Sequence, residues 1–323
     1  MKQGVMLLMF AFAVALSAGD QAMPAVKAEL CKWKDGKQAV YLLQFDDNLP
    51  SQLTNAIPEL VKRGLVGTFY INPGGWAFPM KRQEWEQRVP SLGMVYGNHT
   101  FAHIGAANYD QLDRELGKCQ EEIYKCFPDL PKRRLVSFGQ PGGVPWKVTA
   151  QEQAKLFSKY NLVDRPPYYG YPFWPTEPEK ILQTVDDAIA SGGMGHHDFH
   201  GVGGDYGTTP MSLFLGLLDK LEANRGILWI TDAISYHKYL TEREGAKLQV
   251  MKQTPDSVKL KLACRTKPDL YDLPLSVRVE VPAGWTACTV KQGKRNEQVK
   301  VENGFIVCSV QPVSGVIEIK QFK

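Results

Sequence analysis

No C-x-x-C pair occurs among the six cysteines of this 323-residue chain, so the spacing that builds cysteine-based zinc sites is absent. There is no basic stripe either. The formal net charge is +4 with acids and bases interspersed, whereas binding a phosphate backbone takes clustered cations, so nucleic acid is not an expected partner. Internal repeats and low-complexity tracts are missing too, which sets aside solenoids and biased tails. The apolar run from Val5 to Ala18 is too short to span a bilayer comfortably. It follows Lys2 and closes on the small residues of LSAGD, which is the charge, length and cleavage chemistry of a secretory signal. The expectation is a signal over residues 1–18, no transmembrane segment after its removal, and a secreted or periplasmic mature chain. Cys31 lies too far downstream for a lipoprotein cleavage site. Export permits disulfides. Cys119 and Cys126 sit seven apart in an expected helix, where two turns place them ~10 Å from each other, too far for a bridge. One bridge among Cys264, Cys288 and Cys308 is expected, with the pairing open.

What is present is enough apolar content, 44% of residues, to bury a large core. From Val40 to roughly Arg243 the text alternates strand-like apolar runs with amphipathic stretches, the pattern of βα units around a parallel sheet or barrel. Strands are expected at VGTFYIN (66–72), LGMVYGNHT (92–100), RRLVSF (133–138), Asn161 to Asp164, Met194 to Phe199 and GILWIT (226–231). Helices are expected near Ser51 to Arg63, Asp110 to Phe127, Met211 to Asn224 and Asp232 to Glu244. Thr149 with Glu152, and Thr176 with Glu179, are spaced as capping boxes that open two more. Beyond about Lys247 the helix period stops. Short alternating runs such as SVKLKLAC and LSVRVEV, separated by turn residues, predict an accessory β-sandwich over 247–323. The expected organisation is therefore a signal (1–18), a (β/α) domain (19–246) and the sandwich.

The stretch YLLQFDDNLP (41–50) stands out because an apolar run drives straight into Asp46 and Asp47. Such a run reads as a buried parallel strand, and α/β proteins place their chemistry at the carboxyl ends of those strands. Two adjacent acids there can divide the work, one holding a cation and the other moving a proton. His99 and His103 follow another expected strand, four residues apart. If that short piece is helical, both imidazoles leave one face and can grip one ion. An aspartate and two histidines make a three-ligand set with room for water, the catalytic rather than the structural arrangement.

At these residues the sequence resembles the polysaccharide deacetylase family, the family-four carbohydrate esterases. FDD (45–47), HTFAH (99–103) and HGVG (200–203) match its motifs in order, and the likeness runs over about residues 38–243. The resemblance implies an irregular (β/α) barrel and a divalent metal held by Asp47, His99 and His103, commonly zinc, with cobalt, nickel or manganese as alternatives. It also implies Asp46 as general base, His200 as general acid and, from its place in GQPGG, the Gly142 amide as oxyanion donor. One departure is visible: where the family's third motif carries an arginine, this chain has Gly139. Arg165, in LVDRPP after a later strand, is the expected replacement on Asp46.

Trp146, Tyr169 and Trp174 are the expected sugar-stacking residues, since flat rings pack on sugar faces, with Trp76 and Trp85 as further rim candidates. The implied activity is hydrolysis of N-acetyl or O-acetyl groups on a polysaccharide or oligosaccharide. Two other readings are hydrolysis of small linear amides and glycan binding without turnover.

Overall fold

The computed structural model describes residues 26–166 and 178–322. The expected signal, Thr176 of the second capping pair, and the aromatics Tyr169 and Trp174 lie outside these.

After a short strand β1 (Ala28–Leu30), seven parallel strands form one curled sheet: β2 (Ala39–Asp46), β3 (Thr68–Ile71), β4 (Val95–Asn98), β5 (Val136–Phe138), β6 (Leu162–Asp164), β7 (Met194–Phe199) and β8 (Leu228–Thr231). The order is β6-β5-β4-β3-β2-β7. Strand β2 is central: one edge pairs with β7, and the other pairs with β8 over Ala39 to Leu42 and with β3 over Gln44 to Asp46. Every residue of β2 is buried, as a strand covered on both faces requires. Tyr41, Leu43 and Phe45 join the main core, where the Phe45 ring stacks on Phe69 at 4.5 Å and on Phe199 at 5.0 Å. The opposite face carries Gln44, whose amide donates to Asp198 Oδ1 at 2.8 Å and accepts from the Tyr70 hydroxyl at 2.8 Å. The sheet is thus a curled half-barrel with an apolar outside and a polar network inside.

Helices fill the connections where the hydrophobic period predicts them. Helix Tyr109–Cys126 is capped by the Asn108 side chain, and Ala150–Tyr160 opens on the expected Thr149–Glu152 capping box. Gln52–Ala56 is wound as a π-helix that runs into Ile57–Lys62. Trp85 is not a rim residue: spaced four from Val89, it turns inward among Phe69, Phe78 and Tyr96 and is fully buried. The flanking charges of RQEWEQR concealed a helical stripe. Trp76 is exposed.

The remaining strands are antiparallel: β9 (Ala246–Thr254), β10 (Ser257–Cys264), β11 (Leu275–Glu280), β12 (Ala287–Gln292), β13 (Arg295–Lys300), β14 (Phe305–Val310) and β15 (Gly315–Gln321). They form a five-stranded sheet, β13-β12-β15-β10-β9, and a three-stranded sheet, β1-β11-β14. Strand β10 shows the period-two logic plainly: Val258, Leu260 and Leu262 are buried while Lys259, Lys261 and Ala263 are exposed. The N-terminal strand β1 crosses to this part of the chain and pairs with β11. All six cysteines carry free thiols, so the expected bridge among Cys264, Cys288 and Cys308 is absent from this structure. Cys288 and Cys308 instead serve as small apolar side chains in the sandwich core.

Helix Ala233–Gly245 joins the two parts and buries Glu242. One carboxylate oxygen accepts the Leu273 amide at 2.9 Å, and the other has no hydrogen-bonding partner among the described residues. Burial pushes this carboxyl up to about 8, against which the Leu273 amide and Lys238 act more weakly, with Asp272 adding a smaller upward push. The folded state therefore keeps a proton that the unfolded chain has lost. The resulting stabilisation is complete below the ordinary glutamate range and disappears as pH rises towards 8. Glu242→Gln should leave the denaturation midpoint little changed near pH 4.5 and raise stability by about 2–4 kcal/mol at pH 8.5. Urea titrations at the two pH values check this; equal effects at both would remove the proton linkage.

Candidate functional site

The parallel register sets one polar residue after another along a single rim. Strands β3, β4, β6 and β7 end one residue before Asn72, His99, Arg165 and His200, and β2 ends on Asp46, directly before Asp47. The backbone stays paired past these ends: the Asp47 amide reaches the Tyr70 carbonyl at 3.1 Å, that of His99 reaches Ile71 at 3.1 Å, and that of Arg165 reaches Phe138 at 2.8 Å. Gln52 clamps the rim from below, its amide donating to the carbonyls of Asp46 at 2.6 Å and His200 at 2.9 Å.

Asp46 is buried, and Arg165 meets it as a two-pronged fork, Nη1 to Oδ1 at 2.5 Å and Nη2 to Oδ2 at 3.0 Å. The guanidinium also lies over the Tyr70 ring, 4.7 Å from its centroid. Burial alone would raise the Asp46 carboxyl, but Arg165, helped by His99, outweighs it and holds the group down to about 2. It is ionised at any physiological pH. Gly139 makes the fork possible. A side chain there would begin 3.0 Å from the Tyr70 ring and 3.3 Å from Arg165 Cζ, so the guanidinium occupies the volume that a larger residue at 139 would need.

Asp47 faces a different set. Its Oδ1 lies 3.5 Å from His99 Nε2 and 3.7 Å from His103 Nε2. One potential ligand atom from each of the three residues falls within 4.8 Å of the others. His99 Nδ1 is 2.7 Å from the Gly139 carbonyl, which can only accept, so the ring carries its proton there and turns the Nε2 lone pair towards Asp47. Burial pushes His99 below its ordinary range, which keeps that lone pair available. Donor atoms around a four-coordinate ion with bonds near 2.1 Å are separated by ~3.4 Å, close to the two distances seen. The charges agree: Arg165 answers one buried carboxylate, while Asp47 is met by imidazoles and neutral donors. This donor set fits a divalent cation.

The imidazoles do not converge through a helix as expected. Residues 99–103 form an irregular turn in which Thr100 (φ 62°) and His103 (φ 56°) take left-handed conformations. That turn is pinned by the Thr100 amide to Asn98 Oδ1 at 3.0 Å and the Ala102 amide to Glu115 Oε2 at 2.7 Å. The rings end 5.0 Å apart.

His200 Nε2 stands 3.4 Å from Asp47 Oδ2. Two contacts escaped the sequence reading: Asn72 Nδ2 donates to Asp47 Oδ1 at 2.7 Å, and the Tyr206 hydroxyl donates to Oδ2. Asn72 had a usable signal as the residue after a strand; Tyr206, inside a glycine-rich loop, had none. Gly142 lies in the exposed turn after β5 with open space around its α-carbon. Trp146 is half-buried against Phe138, its indole N–H donating to Gln153 at 3.2 Å, and is committed to packing on at least one side. His197 points to the opposite face of β7 from Asp198 and packs on Phe199 at 4.4 Å. Burial pushes it down to about 4.

Several solved structures similar to this chain are family 4 carbohydrate esterases. The Streptomyces lividans esterase bound to acetate is 18% identical over 60% of this chain and 92% of its own, with a TM-score of 0.35. Bacillus subtilis peptidoglycan deacetylase PdaC is 16% identical over 64% and 94%, at 0.42. A pseudoenzyme of the same family from Bacillus anthracis is 17% identical over 59% of this chain and 63% of its own, at 0.42. Tensin-4 of Rattus norvegicus is 27% identical over 127 residues, and the match spans 18% of that protein. No protein-family model matches the sequence.

Replacing Gly139 by valine should displace the Arg165 fork while sparing the Asp47 cluster. The variant is expected to bind divalent cations as the parent does, by calorimetry, and to show an altered Arg165 position in a crystal structure. An unmoved fork would refute the steric argument.

Proposed function

We propose that this protein is an exported, metal-dependent deacetylase that hydrolyses N-acetyl or O-acetyl groups on a glycan. The observation that carries the reading is the meeting of Asp47, His99 and His103 around one point, next to a buried Asp46 gripped by Arg165. Asp47, His99 and His103 would hold the cation, zinc being the ion most suited to two imidazoles and a carboxylate. When bound, such an ion acidifies water and polarises an acyl carbonyl.

The chain's own groups supply the rest. Asp46 is kept ionised and aimed by Arg165, which makes it a proton acceptor of fixed direction and low basicity, matched to an already acidified water. His200, on the neighbouring strand end and with its side chain 13% exposed, would deliver a proton to the departing amine or alcohol. An imidazole suits that step because its ordinary range lies near neutrality. The Gly142 amide and the rings of Trp146, Tyr169 and Trp174 are proposed contacts for the acyl oxygen and the sugar.

Purified protein should release acetate from an acetylated glycan, lose that activity to a chelator and regain it with zinc. Arg165→Met should lower turnover about 100-fold or more with cation content unchanged by elemental analysis. No acetate from peptidoglycan, chitin-type, xylan or exopolysaccharide substrates would sink the deacetylase reading, and full activity of Arg165→Met would remove the arginine from it.

A further inference from the structure

Tyr206 lies in the loop between β7 and helix Met211–Ala223, three residues beyond HGVG. The loop is braced rather than loose. The Asp205 carboxylate accepts the Ser51 amide at 2.6 Å, Ser51 Oγ donates to the Gly204 carbonyl at 3.1 Å, and Asn55 donates to the Val202 carbonyl at 2.7 Å. Gly201 approaches the Gly204 carbonyl so closely that a Cβ would fall 2.0 Å from the oxygen. These bonds fix the loop to the segment that follows Asp47, and they hold the phenol over the site with its ring 5.6 Å from that of His200. The hydroxyl donates to Asp47 Oδ2, with His200 Nε2 beside it at 3.4 Å, while the Nε2 atoms of His99 and His103 gather at Oδ1, which also accepts Asn72 Nδ2.

We propose that Tyr206 is a positioning residue that makes Asp47 a one-oxygen ligand. By holding Oδ2 on the phenol it turns Oδ1, whose other partner is the Asn72 side-chain amide, to complete the set with His99 and His103, and so restricts the site to the small coordination number that suits zinc. Released from the phenol, the carboxylate could offer both oxygens, a donor set that favours ions of higher coordination number such as manganese. The inference rests on the cation-binding reading above, but it concerns the ligand set and not the glycan.

The test is made on the full chain stripped of metal, titrated separately with Zn2+ and Mn2+ against a competing chelator. Tyr206→Phe removes one oxygen and keeps the ring, and its zinc affinity should fall about 10–100-fold, the range for losing a hydrogen bond to a ligand. Affinity for manganese should fall less, so that the zinc-to-manganese ratio drops, a change that mere loosening of the fold would not give. Asp205→Ala, which unties the loop without touching the phenol, should shift the ratio the same way and decides the matter if Tyr206→Phe folds poorly by circular dichroism. A parental ratio in the folded variants overturns the role of Tyr206 alone. Failure of the parent to bind either ion overturns the cation site itself.

Discussion

The constraint on which the site depends is the common register of the parallel strands. A carboxylate pair at the end of β2 is useful only if the neighbouring strands stop at the same level. Pairing of Asp46 with Tyr70, Ile71 with Asn98, and Phe138 with Asp164 makes them do so. A slip of one residue in any of these would turn a functional side chain to the opposite face. Phe45, Phe69 and Phe199, stacked across three adjacent strands, lock that level from the apolar side. Core packing and site geometry are thus two faces of one arrangement.

Concentrating acids at a buried rim is unfavourable unless each is answered. For Asp46 the answer is a guanidinium whose fork satisfies both oxygens, a geometry in which the attraction can offset desolvation. The inner face of the sheet extends the answer: Gln44 Nε2 donates to the Pro166 carbonyl at 2.8 Å as well as to Asp198, which anchors the chain just past Arg165. Further cost sits in the backbone. Asp47, Asn48, Thr100 and His103 all adopt positive φ without being glycine. Such conformations persist only where surroundings over-determine them; here Asn72 donates to the Asp47 carboxylate and the Asn98 side-chain oxygen accepts the Thr100 amide.

Much of this was legible in the text, and the reasons are specific. Helix and strand positions follow from the apolar pattern because the helices bury one face and the central strands both; Met194–Phe199 coincides with its expected strand, and Tyr109–Cys126 is shifted by one residue. Asp46, Asp47, His99 and His200 could be placed on one rim because each ends or follows an apolar run. Arg165 could be brought towards Asp46 by the same reasoning. What could not be read depends on long-range geometry. The pairing of β8 with β2, and of β1 with β11, leaves no local trace. The approach of His103 to Asp47 is made by left-handed turns rather than by the helical spacing that suggested it.

Gly139 shows how these levels meet. As text it is the absence of an arginine from a motif, and on that ground alone the support of Asp46 looks lost. In three dimensions the same glycine does two things: its missing side chain admits the Arg165 guanidinium from the adjacent strand end, and its carbonyl accepts the His99 Nδ1 proton. The first action fixes the carboxylate that accepts a proton, and the second fixes the tautomer of an imidazole facing Asp47. A single residue therefore touches both halves of the site, its absent Cβ making room for the guanidinium and its backbone carbonyl holding the imidazole. The residue at position 139 is constrained by volume, since any residue would bring the carbonyl but a larger one would meet Tyr70 and Arg165.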